Sequence, residues 1–153
     1  MMDIKLEKKP AFTVVGMKYR GKNENKEIPQ LWSQFLPRVS EIQNITDHDL
    51  CFGVEDNYDE VADEFDYLAC IPVSHVETLP AGMERWDIPA NTYAIFPTNL
   101  QKITDTYHYI YESGLADAKL ERGTGPEFEY YDETFDAKDP NSTFYLYVPV
   151  KVD

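Results

Sequence analysis

Of the 28 carboxylates in this 153-residue chain, Glu129 stands in the company best suited to chemistry, within Phe128-Glu129-Tyr130-Tyr131. The flanking residues are aromatic strand formers, and strand side chains alternate between faces, so Glu129 and Tyr131 share one face while Phe128 and Tyr130 share the other. Two placements are open from this pattern. On an inner face the carboxylate is partly desolvated among rings and needs a cation or hydrogen-bond donors to complete it. A carboxylate with aromatic walls suits a lipophilic cation, and equally a general base of raised pKa. On the solvent face of an edge strand it does neither. Trp32, at helical spacing with Leu31, Phe35 and Leu36, reads either as core or as a pocket wall. The chain has 11 tyrosines; those of the second half, with Tyr107, Tyr111, Tyr131 and Tyr147 as the candidates beside Glu129, can wall a pocket while offering a hydroxyl.

Other chemistries lack their residues. Around Asp47 the sixth position of a calcium loop would be Phe52 where glycine is required, and no Glu falls at the twelfth. The acidic stretch Glu55 to Asp66 therefore reads as a solvated loop. His48, His75 and His108 lack metal-ligand spacing, Cys51 and Cys70 form no CxxC pair, and no phosphate loop, dinucleotide fingerprint or GxSxG elbow occurs. No metal and no cofactor is expected. Fourteen Lys and Arg against 28 Asp and Glu give a formal net charge of −14, which argues against nucleic acid and anionic membranes, since both need clustered cations. With no signal-peptide core and no apolar run of about 20 residues, a cytoplasmic protein is expected, in which the sequons at Asn44 and Asn141 go unused.

The elements that must position Glu129 and Trp32 follow from periodicity. Ala11 to Tyr19 reads as a strand. Ile28, Leu31, Trp32, Phe35, Leu36, Val39 and Ile42 trace one face of a helix that Pro37 should kink or split. Strands Asp49 to Val54 and Phe65 to Val73 follow. A strand over Arg85 to Phe96 is interrupted near Pro89, and a second helix carries Leu100, Ile103, Tyr107, Ile110 and Tyr111, with Thr98 and Gln101 as a capping box. Strands Glu127 to Tyr131 and Thr143 to Lys151 close the chain. The order strand, helix, strand, strand is thus written twice, and Tyr67 to Val73 aligns with Phe144 to Val150, proline on proline. The expected fold is α+β: a single domain made of a duplicated β-α-β-β unit (repeats about 1–78 and 82–153), with antiparallel sheets, pseudo-two-fold symmetry and two main helices framing a central cleft.

Three runs in this order resemble the GyrI-like effector-binding family, the ligand-binding domains of AraC-type and MerR-type multidrug-responsive regulators. They are Val14-Val15-Gly16 with Ile28-Pro29-Gln30-Leu31-Trp32-Ser33-Gln34-Phe35; Ile88 to Phe96; and Tyr109-Ile110-Tyr111 through Gly125-Pro126-Glu127-Phe128-Glu129-Tyr130-Tyr131 to Tyr145-Leu146-Tyr147-Val148-Pro149-Val150. The resemblance implies that Glu129 is the pocket carboxylate for cationic amphipathic ligands, and it moves Trp32 towards the pocket wall. In those regulators the domain is fused to a helix-turn-helix module, for which this chain has no room, so a stand-alone pocket is expected. Gly114 stands where family members commonly carry a Trp, which implies a larger or differently shaped pocket.

Small-molecule binding is the leading expectation, with an amphipathic cation in the seam and Glu129, Trp32, Phe35, Tyr107, Tyr111, Tyr131 and Tyr147 around it. Two alternatives follow from the same likeness. One is a hydrolase acting on electrophilic toxins through Glu129; the other is a gyrase-inhibitor-like contact with a protein partner, either gyrase or a separate regulator.

Overall fold

The computed structural model describes residues 4–151. Eight antiparallel strands form one curled sheet, a half-barrel with the helices on one side. They are β1 (Lys5–Lys9), β2 (Phe12–Gly21), β3 (Cys51–Asp59), β4 (Glu64–Val73), β5 (Glu84–Ile88), β6 (Asn91–Thr98), β7 (Glu127–Tyr131) and β8 (Phe144–Pro149). The first helix, α1 (Glu27–Phe35), runs into a 3₁₀ turn, Leu36–Glu41. Pro37 is the cause of that change, because it has no N–H to continue the α ladder. The second, α2 (Ile103–Tyr109), continues as a π-helical stretch, Ile110–Gly114, and a last turn, α3 (Leu115–Asp117).

The sheet order β1-β6-β8-β7-β3-β4-β2-β5 reads the same from either edge once each strand of the first half is exchanged for its counterpart in the second. This is the duplicated, pseudo-two-fold arrangement that the repeated pattern implied. Two details go beyond it. Lys5–Lys9 is a strand of its own, paired with β6, while β5 pairs with β2, so each half lends an edge strand to the other. The run Arg85 to Phe96 is accordingly two strands in two places. At the centre β3 and β7 pair, joining the halves through Cys51–Tyr131, Gly53–Glu129 and Glu55–Glu127 on one face.

Alternation sorts the side chains. On one face of the sheet Val14, Phe52, Val54, Leu68, Ile88, Tyr93, Phe128 and Tyr147 form a buried cluster. On the other, Leu31 and Phe35 of α1 pack on Val15, Tyr67, Ala69 and Ile71, and Ile110 and Leu115 pack on Ala94, Phe96, Leu146 and Val148. The helices thus cover the two wings of the sheet, leaving the β3–β7 seam as a floor between them. The capping box is not formed: the Thr98 hydroxyl pairs with that of Thr106 at 2.8 Å, and Asn99 Oδ1 accepts from the Lys102 N–H at 2.9 Å. Nor is Glu55 to Asp66 a loop. β3 runs on to Asp59 and β4 starts at Glu64, so the stretch is mostly hairpin, and both of its ends are built into the structure.

Candidate functional site

Glu129 lies on the helix-side face of the floor and is 5% exposed. Its Oε1 accepts two hydroxyl donors, Tyr67 at 2.6 Å and Tyr131 at 2.8 Å. Tyr67, itself fully buried, accepts the Trp32 indole N–H at 2.8 Å. A relay therefore runs from α1 through β4 to β7, and the indole of the first half is tied to the carboxylate of the second. Phe35 stands behind the indole, ring on ring edge at 5.9 Å, and Tyr131 meets it from the other side at 5.7 Å. Gly53 makes the chain of bonds feasible. It is the register partner of Glu129, and a methyl there would collide with both the Tyr67 hydroxyl and Glu129 Oε1.

Two cavities flank Glu129 along the floor. One, of about 520 Å³, is walled by Trp32, Leu36, Leu100, Tyr131 and Phe135, with Cys51 at its base. The other, of about 810 Å³, is bounded by Glu55, Glu127, Tyr107, Tyr111 and Arg122, with the β3–β4 hairpin as its rim. The register explains the division: Cys51/Tyr131 belong to the first, Glu55/Glu127 to the second, and Gly53/Glu129 lie between. Both volumes are of the size that small-molecule sites have.

The electrostatics are unusual because three acids gather with one cation, Arg122, at their margin. Glu55 and Glu127 face each other directly across strands, a like-charge pairing that normally costs stability. Tyr107 donates to Glu55 Oε1 at 3.3 Å and Tyr111 to Glu127 Oε2 at 2.8 Å. Burial, then the charges of Glu129 and Glu127, push the Glu55 carboxyl well above the usual range. Glu129 is raised by burial, against the hydrogen bonds from Tyr67 and Tyr131. Glu127 is raised by burial too, although Tyr111 and Arg122 oppose it. Desolvation leads in all three, and no Lys or Arg answers it at Glu129.

Trp32, Phe35, Tyr107, Tyr111 and Tyr131 all reach this cleft or support its wall. Tyr147 does not. It is the register partner of Phe128, stacks on that ring at 4.8 Å and belongs to the opposite face; its neighbour Leu146 is the residue beside Glu129. Glu55, Glu127 and Tyr67 are candidate-site residues that the sequence pattern did not single out. For Glu127 the signal was present, since it shares a face with Glu129 by alternation. Gly114 is buried, and a Cβ there would meet the Tyr109 ring at 2.8 Å. The space expected from the missing indole is thus taken by Tyr109, and neither cavity opens at Gly114.

Residues 5–150 match the family described as Cass2, integron-associated effector binding protein. The chain belongs to the Cass2 family of GyrI-like effector-binding domains. The transcriptional regulator BrlR of Pseudomonas aeruginosa is 37% identical over 152 residues, covering 97% of this chain but 56% of BrlR, so the chain spans little more than half of that relative. Among solved structures, the EcmrR C-terminal domain has a TM-score of 0.73 at 16% identity, covering 99% of this chain and 98% of that one. SAV2435, solved bound to tetraphenylphosphonium, has a TM-score of 0.72 at 18% identity, covering 98% and 94%. At those identities the likeness to the solved structures is one of fold. Among the described residues, no helix is long and apolar enough to cross a membrane.

Proposed function

We propose that this domain binds lipophilic cations in the cleft between α1 and α2, with Glu129 as the counter-ion and the rings of Trp32 and Tyr131 as walls. The observation that carries the reading is the state of Glu129: a carboxylate 5% exposed, held by tyrosine hydroxyls and, among the described residues, by no ion pair. Burying such a group costs several kcal/mol, of order 2–7 for a polar group without compensation, and a charge costs more. A soft organic cation supplies the missing charge at little desolvation cost of its own, and its apolar body suits the aromatic cavity beside Tyr131. That SAV2435 was solved with tetraphenylphosphonium supports the ligand class.

Titrating the protein with tetraphenylphosphonium and with neutral triphenylphosphine oxide, following Trp32 fluorescence, tests the reading. The cation should bind at least about tenfold tighter, equivalent to about 1.4 kcal/mol. Equal affinities would contradict a counter-ion role.

A further inference from the structure

The reading above leaves Glu55 and Glu127 without a task, although they form the floor of the larger cavity. Glu55 stands opposite Glu127 and two positions along the same face from Gly53, the partner of Glu129, so the carboxyls of Glu55 and Glu129 are diagonal neighbours on the floor. Two carboxylates offer only acceptors, so neighbours of this kind can bond to one another only while one of the pair carries a proton. We propose that Glu55 and Glu129 form one cation seat that holds a single shared proton when empty, and that an arriving cation expels this proton to solvent. The proposal rests on the cation-binding reading and names how the same site is coupled to protons.

The geometry supports it from every element that packs on the pair. β3 contributes Glu55 itself, with Cys51 two positions beyond Gly53; β4 contributes Tyr67. From β7 come Glu127, Glu129 and Tyr131, the first directly opposite Glu55. The helices add only hydroxyls, Tyr107 to Glu55 and Tyr111 to Glu127. The one facing cation among the described residues is Arg122. Its guanidinium is engaged by the Tyr111 hydroxyl at 3.3 Å and by the carbonyl oxygens of Gly123 and Gly125, and it acts on Glu127, not on Glu55 or Glu129. Three carboxyls on adjacent register positions with one cation at their margin cannot all ionise at low cost. Glu55, directly opposite Glu127 and diagonal to Glu129, is the member with an acid on two sides, and we assign it the proton. It also borders the cavity, which gives a displaced proton a way to water. A bound cation reverses the sign of the local field, so the pair ionises fully.

Tetraphenylphosphonium is the appropriate probe, because it is permanently charged and has no proton of its own to lose. Calorimetric titrations at about pH 7 in phosphate and in Tris, whose ionisation enthalpies differ, count the protons released on binding. The wild-type protein should release close to one per ligand, with affinity rising up to about tenfold per pH unit while the pair is still protonated. Glu55→Gln, whose amide can still donate to Glu129 but cannot titrate, should release close to none and bind with nearly flat pH dependence. Binding by the wild type without proton release would overturn this proposal and leave the cation-binding reading standing. Undiminished release in Glu55→Gln would likewise overturn the role of Glu55. Failure of the wild type to bind at any pH would overturn both.

Discussion

Two carboxylates are buried among the described residues, and they have been treated differently. Asp66, 7% exposed, faces away from the helices and is surrounded by positive charge: Arg20 Nη1 at 2.9 Å, Lys18 Nζ at 3.8 Å, and the Asn57 amide at 2.8 Å. Burial pushes its carboxyl up, but those hydrogen bonds and the Lys18 charge outweigh burial and hold it below the ordinary range. Glu129, 5% exposed, is surrounded by hydroxyls and other acids, and its carboxyl is raised. The fold therefore knows how to complete a buried acid with its own cations, and at Glu129 it does not. Asp66 is finished from within the chain; on the cation-binding reading proposed above, Glu129 is left for something from outside.

The sharpest way to break this comparison is to neutralise each acid in turn. Asp66→Asn should cost about 1.5–3 kcal/mol in urea denaturation, the scale of hydrogen bonds to charged groups, with the lower part of that range favoured because Arg20 and Lys18 are about two-fifths exposed. Glu129→Gln should change stability by less than about 0.5 kcal/mol or raise it, since an unpaired buried charge is removed. Equal losses from the two substitutions would erase the distinction.

Gly53→Ala should destabilise by about 1–3 kcal/mol, the usual range for overpacking, and should also weaken cation binding by displacing Tyr67 from Glu129. A variant bound as tightly as the wild type would show that the tyrosine bonds are not needed.

pH dependence separates the two acids by sign. Asp66, with a lowered folded pKa, contributes stability above its unfolded value that disappears as pH falls through the lowered one. Glu55, Glu127 and Glu129, with raised folded pKa values, contribute stability below their unfolded values that disappears as pH rises through the raised ones. Unfolding free energies measured from about pH 4 to 9 should therefore fall on the alkaline side, by up to about 1.4 kcal/mol per pH unit for each proton involved. Glu55→Gln should flatten that limb, and an unchanged limb would move its origin elsewhere.

Among the substitutions expected to destabilise, the smallest effect belongs to Trp32→Phe. It keeps most of the ring contacts but removes the donor to Tyr67, so a loss of about 0.5–1.5 kcal/mol is expected, read by denaturation and by Tyr67-dependent cation affinity.

How much of this was legible in the sequence also divides along the two acids. Strand alternation placed Glu129 with Tyr131 and away from Phe128 and Tyr130, and helical spacing placed Trp32 on the packed side of its helix; both depend only on local geometry. Asp66 and Glu55 were hidden by their own company. In a run of seven acids, composition points to water, while the placement of these two is set by partners far along the chain: Arg20 for Asp66, and Glu127 with Tyr107 for the half-buried Glu55. Tyr147 illustrates the reverse failure. Its residue type fitted the pocket, but one step of register puts it on the far face with Phe128, and register against a distant strand is not written in local pattern. β1 was unread for a related reason: Lys-Leu-Glu-Lys-Lys is what a protected edge strand looks like, and also what a solvated terminus looks like.

The measurement that bears most directly on the central claim is a four-way comparison: tetraphenylphosphonium and neutral triphenylphosphine oxide, each titrated into the wild type and into Glu129→Gln. The account predicts that the substitution weakens the cation by about 1–3 kcal/mol and leaves the neutral ligand within about 0.5 kcal/mol of its wild-type affinity. An equal change for both ligands, or none for the cation, would contradict it.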